Sequence, residues 1–278
     1  MLYTTPSLSS EELALFNELF STKFGLFFAE HKREILESRL IPRLRANRVQ
    51  RFIDYYLLLQ YDLDRELEHL TQAITNNESY FFRETGQFDA LDAKLLDDLE
   101  AGSEGGRLRF LSAGCSSGEE PYTLNIFVRD YSQRHGGNLR IDAFDLDSER
   151  LALAQRAIYR PSSLRALTPE QTARYFVQQA EDAYELRQPY RTGVQFSFGN
   201  ILDLSTYPPG VTYDAVFCRN VLIYFSEPAL KNAIDHFAQV LRPGGLLFLG
   251  HSESIIGLSQ AFQAERLGQC IAYRRKDP

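Results

Sequence analysis

Over residues 1–75 the apolar positions recur three and four apart, and no stretch alternates as a half-buried strand would. Ser9 and Glu12 have the spacing of a capping box, opening a helix that carries Leu13, Phe16, Leu19 and Phe20 on one face. A second helix is expected with Ile35, Leu36, Leu40 and Leu44 as its apolar stripe; Pro42 should bend or interrupt it. Two shorter helical patterns follow at 50–60 and 63–74. The expectation for residues 1–75 is an all-α helical domain.

From residue 107 the pattern changes to strands alternating with helices. Short apolar runs at 107–113, 139–144, 194–198, 213–218 and 246–250 read as strands. Helical patterns at 119–132, 148–157 and 227–241 lie between them, and Arg242-Pro243-Gly244-Gly245 reads as a turn before the fifth strand. Runs at 262–267 and 270–274, split by Gly268-Gln269, read as a terminal hairpin. Alternating units of this kind imply a parallel sheet with helices on both faces, and the hairpin adds an antiparallel strand. A polar, tyrosine-rich stretch at 175–198 is too long for a simple loop. Its segments 176–179, 183–187 and 194–198 are expected to form a small antiparallel sheet, an irregular segment being the alternative.

Composition narrows the setting. The chain has 278 residues, 44% hydrophobic and 24% charged, so it can bury a core without disulfides. Its three cysteines, Cys115, Cys218 and Cys270, are widely spaced with no CxxC, which argues against a disulfide framework or a zinc site; no metal is expected. There is no signal-like start and no apolar run long enough to span a membrane, so a cytoplasmic location without membrane insertion is expected. A net charge of −7 disfavours nucleic acid as a partner. Residues 32–51 run against that balance: Lys32, Arg33, Arg39, Arg43, Arg45, Arg48 and Arg51 face only Glu34 and Glu37, a local basic face suited to an acidic partner.

Candidate chemistry gathers at strand ends, where open α/β sheets bind ligands. Ser112-Ala113-Gly114-Cys115-Ser116-Ser117-Gly118 permits close backbone approach but is not GxGxxG. Glu119 and Glu120 at the following helix start would repel a pyrophosphate, whereas S-adenosylmethionine has no phosphate and is cationic at sulfur. Asp145 after the second strand can accept ribose hydroxyls, Asp147 reads as a helix cap, and Asn200 after the third offers an amide for an adenine edge.

Three strings carry a family resemblance: Thr75-Asn76-Asn77-Glu78-Ser79-Tyr80-Phe81-Phe82-Arg83-Glu84, Gly118-Glu119-Glu120-Pro121-Tyr122, and Phe217-Cys218-Arg219-Asn220-Val221-Leu222-Ile223-Tyr224-Phe225, with Gly250-His251-Ser252-Glu253 after the fifth strand. Together they resemble the chemotaxis-receptor (CheR-type) methyltransferases over nearly the whole chain. The resemblance implies an α/β fold: a class I Rossmann-like methyltransferase domain at 91–278 with a small inserted antiparallel β-subdomain at 175–198. An all-α domain at 1–75 precedes it, with a linker at 76–90. It implies S-adenosyl-L-methionine as cofactor, S-adenosyl-L-homocysteine as product, and glutamate side chains on the cytoplasmic helices of chemoreceptors as acceptors.

By the same resemblance Asn77, Ser79 and Arg83 would close over the cofactor, and Glu120 would hold its amino-acid or ribose end, with Asp145 on the ribose. Asn200 and Ile201 would flank the adenine, while Cys218 and Arg219 would line the pocket through their backbone. Arg83 and Tyr224 would lie nearest the transferred methyl, and Arg39, Arg43 and Arg45 would face the receptor. Ser79 stands where a threonine is common, and Pro42 where a basic residue would be expected. The β-subdomain is a candidate for binding a receptor tail by strand addition.

A glutamate acceptor, with a reference pKa of about 4.3, is already nucleophilic at neutral pH and needs no general base. His251, near a strand end, is assigned a structural hydrogen-bonding role. A small-molecule or nucleic-acid methyltransferase is one alternative, disfavoured by net charge and by Arg219-Asn220-Val221-Leu222 in place of an Asn/Asp-Pro-Pro-aromatic motif. A non-catalytic S-adenosylmethionine-binding module is the other.

Overall fold

Ser9 accepts a hydrogen bond from the Glu12 backbone N–H while the Glu12 carboxylate accepts from the Ser9 N–H, and this reciprocal cap opens α1 (Ser10–Phe24). Gly25, at φ 79°, closes it. Three helices follow: α2 (Arg33–Ala46), α3 (Phe52–Tyr61) and α4 (Leu63–Ile74). Their apolar stripes bury Phe16, Phe20, Leu36, Leu40, Leu44, Tyr55 and Leu70. Pro42 does not interrupt α2, which runs through it to Ala46. Pro42 and Ser38, whose carbonyl loses its helical partner, are both exposed, so water can serve that carbonyl.

The structure, a computed structural model, describes residues 6–91, 93–131 and 139–277. These fall into two units, Met1–Asn76 with Tyr224–Leu230, and Asn77–Ile223 with Lys231–Pro278. The returning segment of the first unit is joined to it by backbone bonds. Phe27 N–H donates to the Tyr224 carbonyl at 2.8 Å and Ser226 N–H to the Gly25 carbonyl at 2.8 Å. A Leu26–Phe225 antiparallel bridge lies between them.

In the second unit α5 (Ala93–Ala101) precedes β1 (Arg109–Ala113), α6 (Glu119–Tyr131), β2 (Arg140–Asp145) and α7 (Ser148–Arg156). Next come β3 (Ile158–Tyr159), α8 (Pro169–Tyr175), β4 (Phe176–Ala180), β5 (Ala183–Leu186) and β6 (Val194–Phe198). The chain continues through β7 (Tyr213–Cys218), α9 (Glu227–Val240), β8 (Leu241–Leu249), β9 (Phe262–Leu267) and β10 (Cys270–Arg275). The main sheet has the order β6-β2-β1-β7-β8-β10-β9. Its first five strands are parallel, and β10 runs antiparallel to both β8 and β9, as the terminal hairpin requires. The order reverses between β1 and β7, so the switch point lies at the carboxyl ends of these two strands. Phe110, Phe217 and Phe248 fill the core beneath them, the last two stacked at 4.6 Å.

Two details depart from expectation. The small antiparallel sheet exists, ordered β3-β5-β4, but 194–198 is not part of it. That segment is β6, the parallel edge of the main sheet, as its other reading as the third of the alternating strands expects, paired along β2 from Ile141–Val194 to Asp145–Phe198. The third small strand is instead Ile158–Tyr159, two residues that carry too short a pattern to read locally. Arg242–Gly245 is a bulge inside β8 rather than a turn before it: Tyr213 pairs with Leu241, and Ala215 already pairs with Leu246.

Candidate active site

The β1–α6 loop is a cradle from which side chains are excluded. Gly114 (φ 78°) and Gly118 (φ 88°) adopt left-handed backbone, and a Cβ would stand 2.7 Å from Val221 Cγ2 at the first and 2.8 Å from Ala154 Cβ at the second. Between them Ser116, itself left-handed at φ 48°, donates its N–H to Asp145 Oδ2 at 2.7 Å. Asp145 Oδ1 accepts from the Asp147 N–H at 2.9 Å. Burial raises the Asp145 carboxyl to about 6 against these two backbone bonds. Asp147 caps α7, as its sequence position suggests, and accepts from Asn77 Nδ2 at 2.9 Å, tying the linker to the β2 end.

Behind the cradle lies a buried charge network. Glu120 accepts from Ser112 Oγ at 2.7 Å and faces Arg219 Nη1 at 3.4 Å. Arg219, 3% exposed in its side chain, also donates to the Arg83 carbonyl at 2.5 Å and to Glu84 at 3.2 Å, and its plane lies over Phe88. Its Nε is buried without a partner. Burial pushes the Glu120 carboxyl up despite the attraction of Arg219. Burial acts on Glu84 too, but the bond from Asn220 and the charge of Arg219 outweigh it and hold that carboxyl low. Phe82, Glu84 and Asn220 join Ser116 in left-handed backbone; four such non-glycine residues in one region mark stored local strain.

The remaining candidates are dispersed around this frame. Ser79 is half-buried in the linker, and Arg83 donates Nη1 to the Glu78 carbonyl at 2.8 Å. The Asn200 side-chain carbonyl accepts from Leu202 N–H at 3.0 Å, an Asx turn, and buried Ile201 accepts from the Tyr207 hydroxyl and from His236. Cys218 is fully buried and burial drives its thiol well up, so only its backbone can serve a ligand. His251 contributes a backbone N–H, to Glu84 at 3.3 Å, while its residue is exposed.

Tyr224 belongs to the first unit, where its hydroxyl accepts from Asn76 Nδ2 at 2.6 Å and Lys32 lies 5.6 Å above its ring. In that unit Arg39 donates to the carbonyls of Ile74 and Thr75, closing the end of α4, and Arg43 forks onto Glu66 at 2.8–3.1 Å. Of the three arginines matched to receptor binding, Arg45 is the exposed one.

Two carboxylates that tie the loops of this frame together escaped the sequence reading. Glu84 is one. Glu253 is the other, accepting from the N–H groups of Gly250, Asn220 and Ile223 and so fixing the loop after β7. Glu84 adjoins Arg83 and Glu253 follows Gly250 by three residues, but Arg219, Asn220 and Ile223, which these carboxylates also bind, are distant in sequence.

The donor set fits one cofactor chemistry. The buried carboxylate of Asp145, the half-buried one of Glu120 and a glycine cradle suit a cationic ligand with ribose hydroxyls and suit a pyrophosphate badly. With a parallel sheet closed by an antiparallel hairpin, the unit is a class I S-adenosylmethionine-dependent methyltransferase. Residues 77–270 match the family model "CheR methyltransferase, SAM binding domain" and residues 11–75 match "CheR methyltransferase, all-alpha domain". Chemotaxis protein methyltransferase of Klebsiella aerogenes is 36% identical, with 92% of this chain and 87% of that protein covered. Chemotaxis protein methyltransferase of Escherichia coli strain K12 is 34% identical (98% and 93% covered), and chemotaxis protein methyltransferase 2 of Vibrio cholerae serotype O1 is 33% identical (96% and 93%). The chain belongs to the CheR methyltransferase family.

Proposed function

We propose that the enzyme methylates glutamate side-chain carboxylates on the cytoplasmic helices of chemoreceptors, forming glutamyl methyl esters, and that it works in the cytoplasm. The observation that carries this reading is the acidic, phosphate-averse cradle of Glu120 and Asp145 within a chain alike, almost end to end, to chemotaxis protein methyltransferases. No described helix is long and apolar enough to cross a membrane, consistent with that location.

S-adenosylmethionine, when bound, supplies an electrophilic methyl on sulfur. Asp145 would hold the ribose hydroxyls, Glu120 the cationic amino-acid end, and Asn200 with Ile201 the adenine. Asn77 and Ser79 of the linker would cover the cofactor, and the backbone of Cys218 and Arg219 would line its bed. An acceptor glutamate arrives ionised and needs no base, so the protein's task is to align a carboxylate and exclude water. Arg83 would orient that carboxylate through charge-assisted bonds, as would the Tyr224 hydroxyl. Full neutralisation of the acceptor charge would slow attack, so alignment must outweigh pairing. On the helical unit, Arg45 would meet acidic receptor residues more directly than Arg39 or Arg43, which already hold internal partners.

The test is to incubate the enzyme with methyl-labelled cofactor and chemoreceptor-enriched membranes and then raise the pH. Ester label is released by alkali; label that survives belongs to an amine or ether and would sink the proposal. Arg83→Ala and Tyr224→Phe, assayed separately, should each lower turnover with cofactor still bound.

A further inference from the structure

The linker is built onto the small sheet. Phe81 N–H donates to the Ser163 carbonyl at 2.9 Å, in the turn after β3. The Phe81 ring is fully buried edge-on against Tyr159 of β3 at 4.8 Å and Phe176 of β4 at 5.0 Å. Phe82 follows into the same cluster, stacked on Tyr175 at 6.2 Å. Ser163 in turn donates its hydroxyl to Glu119 of the cofactor loop at 3.0 Å. The linker is thus anchored from below at two consecutive aromatic residues.

Above that anchor sits Arg165, two residues after Ser163. Its guanidinium lies 3.8 Å from the Tyr80 ring centroid, and its Nη2 pairs with Glu78 Oε1 at 2.8 Å. Arg83 approaches the same two residues from the other direction: its Nη1 donates to the Glu78 carbonyl at 2.8 Å and its guanidinium lies 5.8 Å from the Tyr80 centroid. Glu78 and Tyr80 are therefore shared supports. Arg165 holds the Glu78 carboxylate and one position over the ring, while Arg83 takes the Glu78 carbonyl and another.

We infer that Arg165 is a positioning residue for methyl transfer, fixing through Glu78 and Tyr80 the guanidinium of Arg83. The inference rests on the reading that Arg83 meets the acceptor carboxylate. An exposed ion pair adds little to stability, so the effect is on rate rather than on folding. A half-buried guanidinium held by one carbonyl bond samples several rotamers; a preformed support narrows them before the acceptor arrives. Lysine at 165 would keep the ion pair with Glu78 but lose the planar stack on Tyr80.

The experiment compares Arg165→Ala, Arg165→Lys, Arg83→Ala and the Arg83→Ala/Arg165→Ala double variant on chemoreceptor-enriched membranes, with cofactor affinity measured by calorimetry. Arg165→Ala should lower kcat on the order of tenfold with acceptor KM and cofactor Kd nearly unchanged, and Arg165→Lys should recover part of that loss. The double variant should be no slower than Arg83→Ala, because Arg165 acts through Arg83. Multiplied losses in the double variant would mean an independent contact with the acceptor and would overturn the inference. So would a slow Arg83→Ala beside a normal Arg165→Ala. Full turnover by Arg83→Ala would instead remove the underlying reading of Arg83.

Discussion

In each unit a guanidinium is held against buried carboxylates, Arg43 in the helical unit and Arg219 in the methyltransferase unit, and these two networks end differently. In the helical unit Arg43 forks onto Glu66, whose second oxygen also accepts from the Tyr55 hydroxyl at 2.9 Å. Burial works against the Glu66 charge, yet the bonds from Arg43, Asn47 and Tyr55 outweigh it and hold the carboxyl below its ordinary value. That network is closed. In the methyltransferase unit Arg219 serves three acceptors at once, keeps a buried Nε without a partner, and leaves Glu120 raised rather than lowered. A closed network stabilises a fold; one left short of partners, at the end of a parallel sheet, is set up to receive a ligand.

The sharpest way to break this comparison is to remove the cations. Arg43→Ala strands a buried carboxylate and should cost about 3–5 kcal/mol of stability, read by denaturant melts, with the cofactor Kd of the folded fraction unchanged. Arg219→Ala should abolish measurable cofactor binding as well as destabilise, since the Arg83 carbonyl and Glu84 lose their shared donor. Equal effects of the two on Kd would erase the distinction between the networks.

Neutralising the anions tests its sign. Glu66→Gln should destabilise by about 2–4 kcal/mol, because its ionised form is the one the fold prefers. Glu120→Gln should leave melting temperature level or raise it, because burial penalises that charge, while weakening cofactor binding roughly tenfold or more. A fall in melting temperature for both variants would contradict the raised carboxyl of Glu120.

The smallest effect is in pH. Asp145 is raised to about 6 from an ordinary 3.8. The folded protein therefore binds this proton more tightly than the unfolded chain, and its stabilising contribution is complete below about pH 4 and lost as pH rises through 6. Ligand binding should run the other way, because the ionised carboxylate is the better acceptor. Cofactor affinity should drop several-fold between pH 7 and pH 5.5, and calorimetry on Asp145→Asn should show that step gone.

Much of the fold was legible because its signals are local. The Ser9–Glu12 cap, the strand ending at Asp145 and the Gly268-Gln269 hairpin each depend on neighbours within a few residues. What could not be read depends on partners far away. Val194–Phe198 has the pattern of a strand, but its pairing with β2 rather than β5 is decided by tertiary packing. Pro42 costs a helix less where the carbonyl it leaves unpaired can reach water, and sequence does not give that exposure. For the site, Asp145 stood out as a charge at a strand end and Glu120 as one at a helix start, whereas Glu84, Glu253 and Arg165 acquire meaning only through Arg219, the Asn220 backbone and Tyr80.

The three cysteines carry one further consequence. Cys115 follows β1 and Cys218 ends β7, and with Cys270 all are buried, their thiols driven up by burial. A thiol of that kind is inert to alkylating reagents and mild oxidants while the sheet stays closed. Two of them sit where the strand order reverses, so their modification rate is a clock for how often that end of the sheet opens. A bound cofactor would slow the clock at Cys115 and Cys218 and leave Cys270, out on the terminal hairpin, ticking as before.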